Sequence, residues 1–171
     1  LTDWTVVDGA AFKGQPVEGD SVHAGADDNA SGSAAVLAVG ERLAREPRRR
    51  NIALQFWSGE EIGLLGSSSF VNKPPVPMDQ FVAYFNFDMV GRMEENKLTL
   101  QATGSSRDWG RIIEQAIVAA GFDHTLQPDP YQPTDVSSFN LASVPSHNFF
   151  TGVHADYHRP SDTADKIAYD D

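Results

Sequence analysis

Three apolar, β-prone runs punctuate this chain, and each leads directly into a stretch bearing acids or histidines. Residues 51–57 (Asn-Ile-Ala-Leu-Gln-Phe-Trp), 81–87 and 144–150 have the bulky, branched and aromatic content of strands. Residues 97–102 alternate and read as a fourth. Between these runs the apolar spacing turns helical. Residues 33–45 place Ala35, Leu37, Ala38 and Leu43 on a helix that ends before Pro47. Residues 60–71 return to helical character, closed by Pro74-Pro75. Residues 107–120 line up Trp109, Ile112, Ile113, Ala116 and Ile117, with Gly121 as the C-terminal cap. Strands alternating with helices imply an α/β domain with helices on both faces of a sheet. Sites in such sheets form at the carboxyl ends of strands. Glu60 and Glu61 follow the first run, Asp88 the second, and His154 and His158 the last. No repeat or linker divides the 171 residues, so one domain is expected over 1–171.

The rest of the composition narrows the chemistry. The chain has no cysteine, so a metal site here must use His, Asp and Glu. A net charge of -11 excludes the basic footprint of a nucleic-acid binder. The basic cluster Arg45 and Arg48 to Arg50 lies beside Glu41 and Glu46 and reads as a solvated helix end. No apolar run reaches the roughly 20 residues of a membrane helix, and no signal peptide opens the chain. Leu1-Thr2-Asp3-Trp4 reads as an internal start, with sequence expected upstream. Residues 1–32, rich in Gly, Asp and Ala, read mostly as loop.

Four segments carry the candidate chemistry. Gly25-Ala26-Asp27-Asp28-Asn29-Ala30-Ser31-Gly32 is an acidic loop ahead of a helix, without the alternating acids of a calcium loop. Ser58-Gly59-Glu60-Glu61-Ile62-Gly63 sets two carboxylates side by side after an apolar run. Asn86-Phe87-Asp88-Met89-Val90-Gly91 embeds a charge among apolar side chains, where burial demands a partner. Residues 151–163 hold His154, Asp156, Tyr157, His158 and Asp162. Each alone suits a turn, a helix cap or a solvent-facing strand end. Together they offer hard oxygen ligands with one or two imidazoles, a donor set suited to zinc or a similar divalent ion.

These four segments, in this order over about residues 22–168, resemble the motifs of the co-catalytic zinc aminopeptidases, peptidase family M28. That family also includes glutaminyl cyclases and the peptidase-like domain of the transferrin receptor. The resemblance implies a three-layer α/β/α fold around a mixed, mostly parallel sheet. It implies a zinc-dependent exopeptidase that removes N-terminal residues from peptides. It assigns Asp28 as the carboxylate bridging two zinc ions, Glu61 and His158 as ligands of one, and Asp88 as a ligand of the other. Glu60 becomes the general base and Tyr157 a group that polarises the scissile carbonyl. It also points to a secreted or periplasmic protein. Phe139, Phe149 and Phe150 could line a side-chain pocket but read first as core.

The sequence departs from the family at its beginning. The family's upstream His-x-Asp ligand motif is absent, and Leu1-Thr2-Asp3 stands at about its position. The expectation is therefore at least one competent zinc site and a weakened partner site, one or two zinc ions in all. His23 is a possible substitute ligand, and His154 reads as shaping the pocket rim. N-terminal strands and the closing C-terminal helix near Asp165 are expected to be missing. That would leave a sheet edge uncovered and open to self-association or to pairing with a missing N-terminal segment. Two alternatives stay open: a single-zinc glutaminyl cyclase, and a catalytically impaired, peptidase-like binding domain.

Overall fold

The computed structural model describes residues 22–169, so Leu1-Thr2-Asp3 lies outside the described residues. The chain forms α1 (Gly32–Ala44), α2 (Leu65–Asn72), β1 (Tyr84–Phe87), β2 (Lys97–Gln101), α3 (Trp109–Ala120), β3 (Asp123–Gln127), α4 (Val136–Leu141) and β4 (Ser146–Phe150). The four strands make one sheet in the order β1-β4-β2-β3. β1 pairs with β4 and β2 with β3 in parallel, while β2 and β4 are antiparallel. The α/β class and the mixed, mostly parallel sheet expected from the sequence are both present.

Period-two side-chain alternation divides the strands between two cores. On one face Tyr84, Ala102, Val136, Phe139 and Val144 pack together, joined by Trp57, Phe70 and Phe81. Phe139 stacks on Tyr84 with ring centroids 3.8 Å apart and is 1% exposed. On the other face Leu98 and Leu100 meet Trp109 and Ile113 of α3, with Phe149 beside them. Gly121 caps α3 at φ +80°, the left-handed conformation that a glycine cap supplies without a Cβ penalty.

A row of polar side chains crosses the sheet inside the first core. Trp57 Nε1 donates to Tyr84 Oη (3.0 Å), and that hydroxyl donates to Asn86 Oδ1 (2.7 Å). Asn86 Nδ2 donates to Asn148 Oδ1 (3.0 Å), and Asn148 Nδ2 to Gln101 Oε1 (2.6 Å). Gln101 Nε2 then reaches Gln127 Oε1 at 2.8 Å. One chain of bonds thus spans all four strands. A one-residue slip would turn these amides to the opposite face and leave buried groups unsatisfied, so the row fixes register.

The run 51–57 corrects the sequence reading, for it forms no strand. Ile52, Leu54 and Phe56 are 46, 46 and 43% exposed. β-prone composition makes a strand only where a neighbouring edge supplies hydrogen bonds. Here the run and the β1 edge line a common cavity of about 1560 Å³ instead of pairing. β1 has no strand on its outer side among the described residues.

The helix expected over 60–71 starts later, at Leu65, and leaves Glu60 and Glu61 in a turn. The strand expected over 81–87 is shorter, β1 beginning at Tyr84 after a 3-10 turn at Met78–Gln80. Near Asp165 the described chain holds a single 3-10 turn, Ala164–Lys166.

Candidate metal centre

The acidic loop is pinned to the end of β1 by the residues around Asp28. Asn29 Oδ1 accepts the N–H groups of Gly32 (3.0 Å) and Met89 (3.2 Å), and its Nδ2 donates to Phe87 O (2.9 Å). A Cβ on Gly32 would lie 2.1 Å from Phe87 O, so only glycine lets helix α1 start this close to the strand. Asp27, fully buried, accepts the Gly91 N–H at 2.7 Å and the Ser31 hydroxyl at 2.9 Å. These bonds hold Asp28 beside Asp88 at the carboxyl end of β1.

His158 brings the third element in. Its Nε2 lies 2.9 Å from Glu61 Oε1 and 3.1 Å from Asp28 Oδ2. Ligand atoms of the three residues all fall within 4.8 Å of one another, and no other such group of three occurs among the described residues. Tetrahedral ligands about 2.0–2.1 Å from zinc stand about 3.4 Å apart. The donors therefore need to open only slightly to take an ion, and two carboxylates with one imidazole suit zinc. His158 and Met89, which follows Asp88, both sit at φ +56°. Side chains rarely adopt that conformation, and it tends to persist where surrounding structure holds a functional group in place.

The electrostatics describe a crowded acidic site. Burial and then Asp88, Glu61 and Asp135 push the Glu60 carboxyl up to about 9. Burial and then Asp28, Asp135 and Glu61 push Asp88 up to about 8. Glu61 is raised by burial, against its contact with His158. Burial disfavours the charged form of His158, but Asp28 and Glu61 outweigh it and raise the imidazole to about 9. Carboxylates held near neutrality in charge by their neighbours form a site that a cation would relieve. Tyr157 stacks on His158 with ring centroids 3.7 Å apart, and burial followed by Glu61 raises its hydroxyl.

All six residues singled out by the sequence thus gather at one end of the sheet: Asp28, Glu61 and His158 in direct contact, with Glu60, Asp88 and Tyr157 around them. His154 is not at the pocket rim. Its Nε2 faces Asp27 Oδ2 at 3.0 Å and its side chain is nearly buried, because a buried carboxylate draws the imidazole inward. His23 is buried but does not join the three-residue group. Phe139 belongs to the core and Phe149 packs against the second core, as first read. The sequence reading missed Asp135, at the N-terminus of α4, which lines the same cavity as Asp28, Glu60, Glu61 and Asp88. It follows Pro133-Thr134 and looks like an ordinary helix start.

Comparison with known proteins gives this geometry a context. The profile of peptidase family M28 matches residues 7–171. A leucine aminopeptidase 2 of Trichophyton rubrum is 31% identical over 145 residues, covering 78% of this chain and 29% of the relative. A zinc aminopeptidase from Bacillus subtilis superposes with a TM-score of 0.76 at 29% identity, over 85% of this chain and 38% of the other. A Bacteroides thetaiotaomicron glutaminyl cyclase shares the fold, with a TM-score of 0.66 at 21% identity, over 92% of this chain and 62% of that one. The chain spans less than a third of the length of the fungal relative.

Proposed function

The chain belongs to peptidase family M28, and on that premise we propose that it is the zinc-binding part of an aminopeptidase. The convergence of Asp28, Glu61 and His158, with Glu60 next in sequence to a ligand, carries the reading. Those three residues would hold a zinc ion, which when bound would activate water and polarise a peptide carbonyl. Asp88, with Asp28, would hold a second ion, more weakly than the first.

Glu60 acts as the proton carrier. It takes a proton from the attacking water and gives it to the departing amine. A cation held by the neighbouring ligands would lower its pKa from the value that burial and four carboxylates impose. Tyr157, held against His158, donates a hydrogen bond to the oxyanion as the carbonyl becomes tetrahedral. The acids at the site attract the free ammonium of a peptide N-terminus, in keeping with removal of N-terminal residues.

The test uses the full chain with added zinc. Release of N-terminal residues from free peptides, with none from N-acetylated ones, supports the proposal. Ammonia released from N-terminal glutamine, without peptide cleavage, supports a glutaminyl cyclase instead. Binding of peptide with neither product points to the impaired binding domain.

A further inference from the structure

The two sides of the zinc site come from chain segments more than a hundred residues apart, and one carboxylate ties them together. Asp162 is 2% exposed. Its Oδ2 accepts the backbone N–H of Asp27 at 2.9 Å and that of Asp28 at 3.1 Å. Its Oδ1 lies 3.2 Å from the Asp27 N–H, and its own carbonyl accepts the Ala26 N–H at 3.2 Å. Asp162 therefore clasps three successive amides of the acidic loop.

The same residue ends the turn that carries His158. The Asp162 N–H donates to Arg159 O, and the Arg159 N–H donates to Asp156 O. Asp28 and His158 meet at 3.1 Å across this clasp. Asp162 has no place among the metal-binding group itself. A buried carboxylate is costly unless its hydrogen bonds are made, and here those bonds are spent on the backbone beside a ligand.

We propose that Asp162 is a positioning residue for zinc: by holding the Asp27 and Asp28 amides it sets the Asp28 carboxylate against His158. The inference rests on the zinc reading above. An asparagine at 162 keeps the shape but presents an N–H₂ group and a single acceptor oxygen. The loop then loses part of its clasp, and Asp28 is free to move away from His158.

The experiment measures zinc affinity by competition with a fluorescent chelator for the full chain, for Asp162→Asn, and for Asp156→Asn as a control. Asp156 anchors the same turn through Arg92 (3.1 Å) and Lys166 (2.6 Å) but makes no bond to residues 26–28. Removing a group that orients a ligand typically weakens metal binding by about 10–100-fold. That loss is expected for Asp162→Asn, with circular dichroism unchanged and a much smaller effect in Asp156→Asn. Equal affinity in wild type and Asp162→Asn overturns the inference, as does an equal loss in the control.

Should Asp162→Asn not fold, amide exchange in the wild type decides. Slow exchange at Asp27 and Asp28 in the zinc-free protein supports the clasp, and exchange as fast as in an exposed loop overturns it. A wild type that binds no zinc overturns the zinc reading first, and this inference with it.

Discussion

A buried histidine on β4 should subtract from the stability of the fold in acid. His147 on β4 is 2% exposed. Its ring lies 5.5 Å from that of Trp109 and stands edge-on to Phe149 at 4.9 Å. Burial pushes its pKa from 6.5 down to about 4, only partly offset by the Gln101 backbone. An unfolded imidazole takes up a proton as the pH falls through 6.5, whereas the folded one stays neutral until about 4. Between these values the unfolded imidazole binds more protons, so the contribution of His147 to stability falls as the pH falls. Above about 6.5 the effect vanishes. The gap corresponds to about 3 kcal/mol at about 1.4 kcal/mol per pH unit. The perturbation is His147→Gln, which keeps a polar side chain near Gln101 but cannot titrate. Urea unfolding with EDTA present, at about pH 7.5 and about pH 4.5, gives the stability of both proteins. Relative to the variant, the wild type should be about 2–3 kcal/mol less stable at the lower pH than at the higher, on top of any change the two share. Parallel changes in the two proteins would refute the reasoning, because they would mean that His147 reaches solvent when charged.

Three further outcomes follow from the same structure. Phe139→Ala removes the ring stacked on Tyr84 and should cost about 3–5 kcal/mol, read as a shift in the urea midpoint. Glu60→Gln should lower kcat by about 10²–10⁴-fold while zinc affinity by chelator competition stays close to wild type, since Glu60 is a proton carrier and not a ligand. In EDTA, the raised pKa values of Glu60 (about 9) and Asp88 (about 8) predict a fold that loses stability as pH rises from about 4 toward 9. These acids stay protonated when folded but ionise when unfolded, and added zinc should flatten the trend in a thermal melt.

What could be read from the sequence was local, and what could not was tertiary. Asp28, Glu60, Glu61, Asp88, Tyr157 and His158 stand in short strings whose residue types already signal acid–metal chemistry. Asp135 stands outside those strings, and Asp162, though inside the 151–163 segment, carried no role there, because both depend on distant partners: Asp135 on Glu60 and Asp88, Asp162 on the amides of Asp27 and Asp28. Gly121 and the apolar side of α3 gave that helix almost to its ends. β3 escaped notice because Asp123–Gln127 is exposed throughout and shows no apolar alternation. The run 51–57 misled in the opposite way. Its propensity is strong, but a strand also needs a partner edge, and propensity carries no information about that. The amide row from Asn86 through Asn148 to Gln101 was equally hidden, since scattered Asn and Gln residues look like loop or surface until the strands align.

Asp28, Glu61 and His158 are proposed to hold zinc together. An anomalous difference map collected at the zinc edge from zinc-soaked crystals tests it most directly. A peak is expected about 2.0–2.2 Å from a carboxylate oxygen of Asp28, one of Glu61, and Nε2 of His158. A map whose strongest peak lies elsewhere, or that shows none between these three side chains, would contradict it.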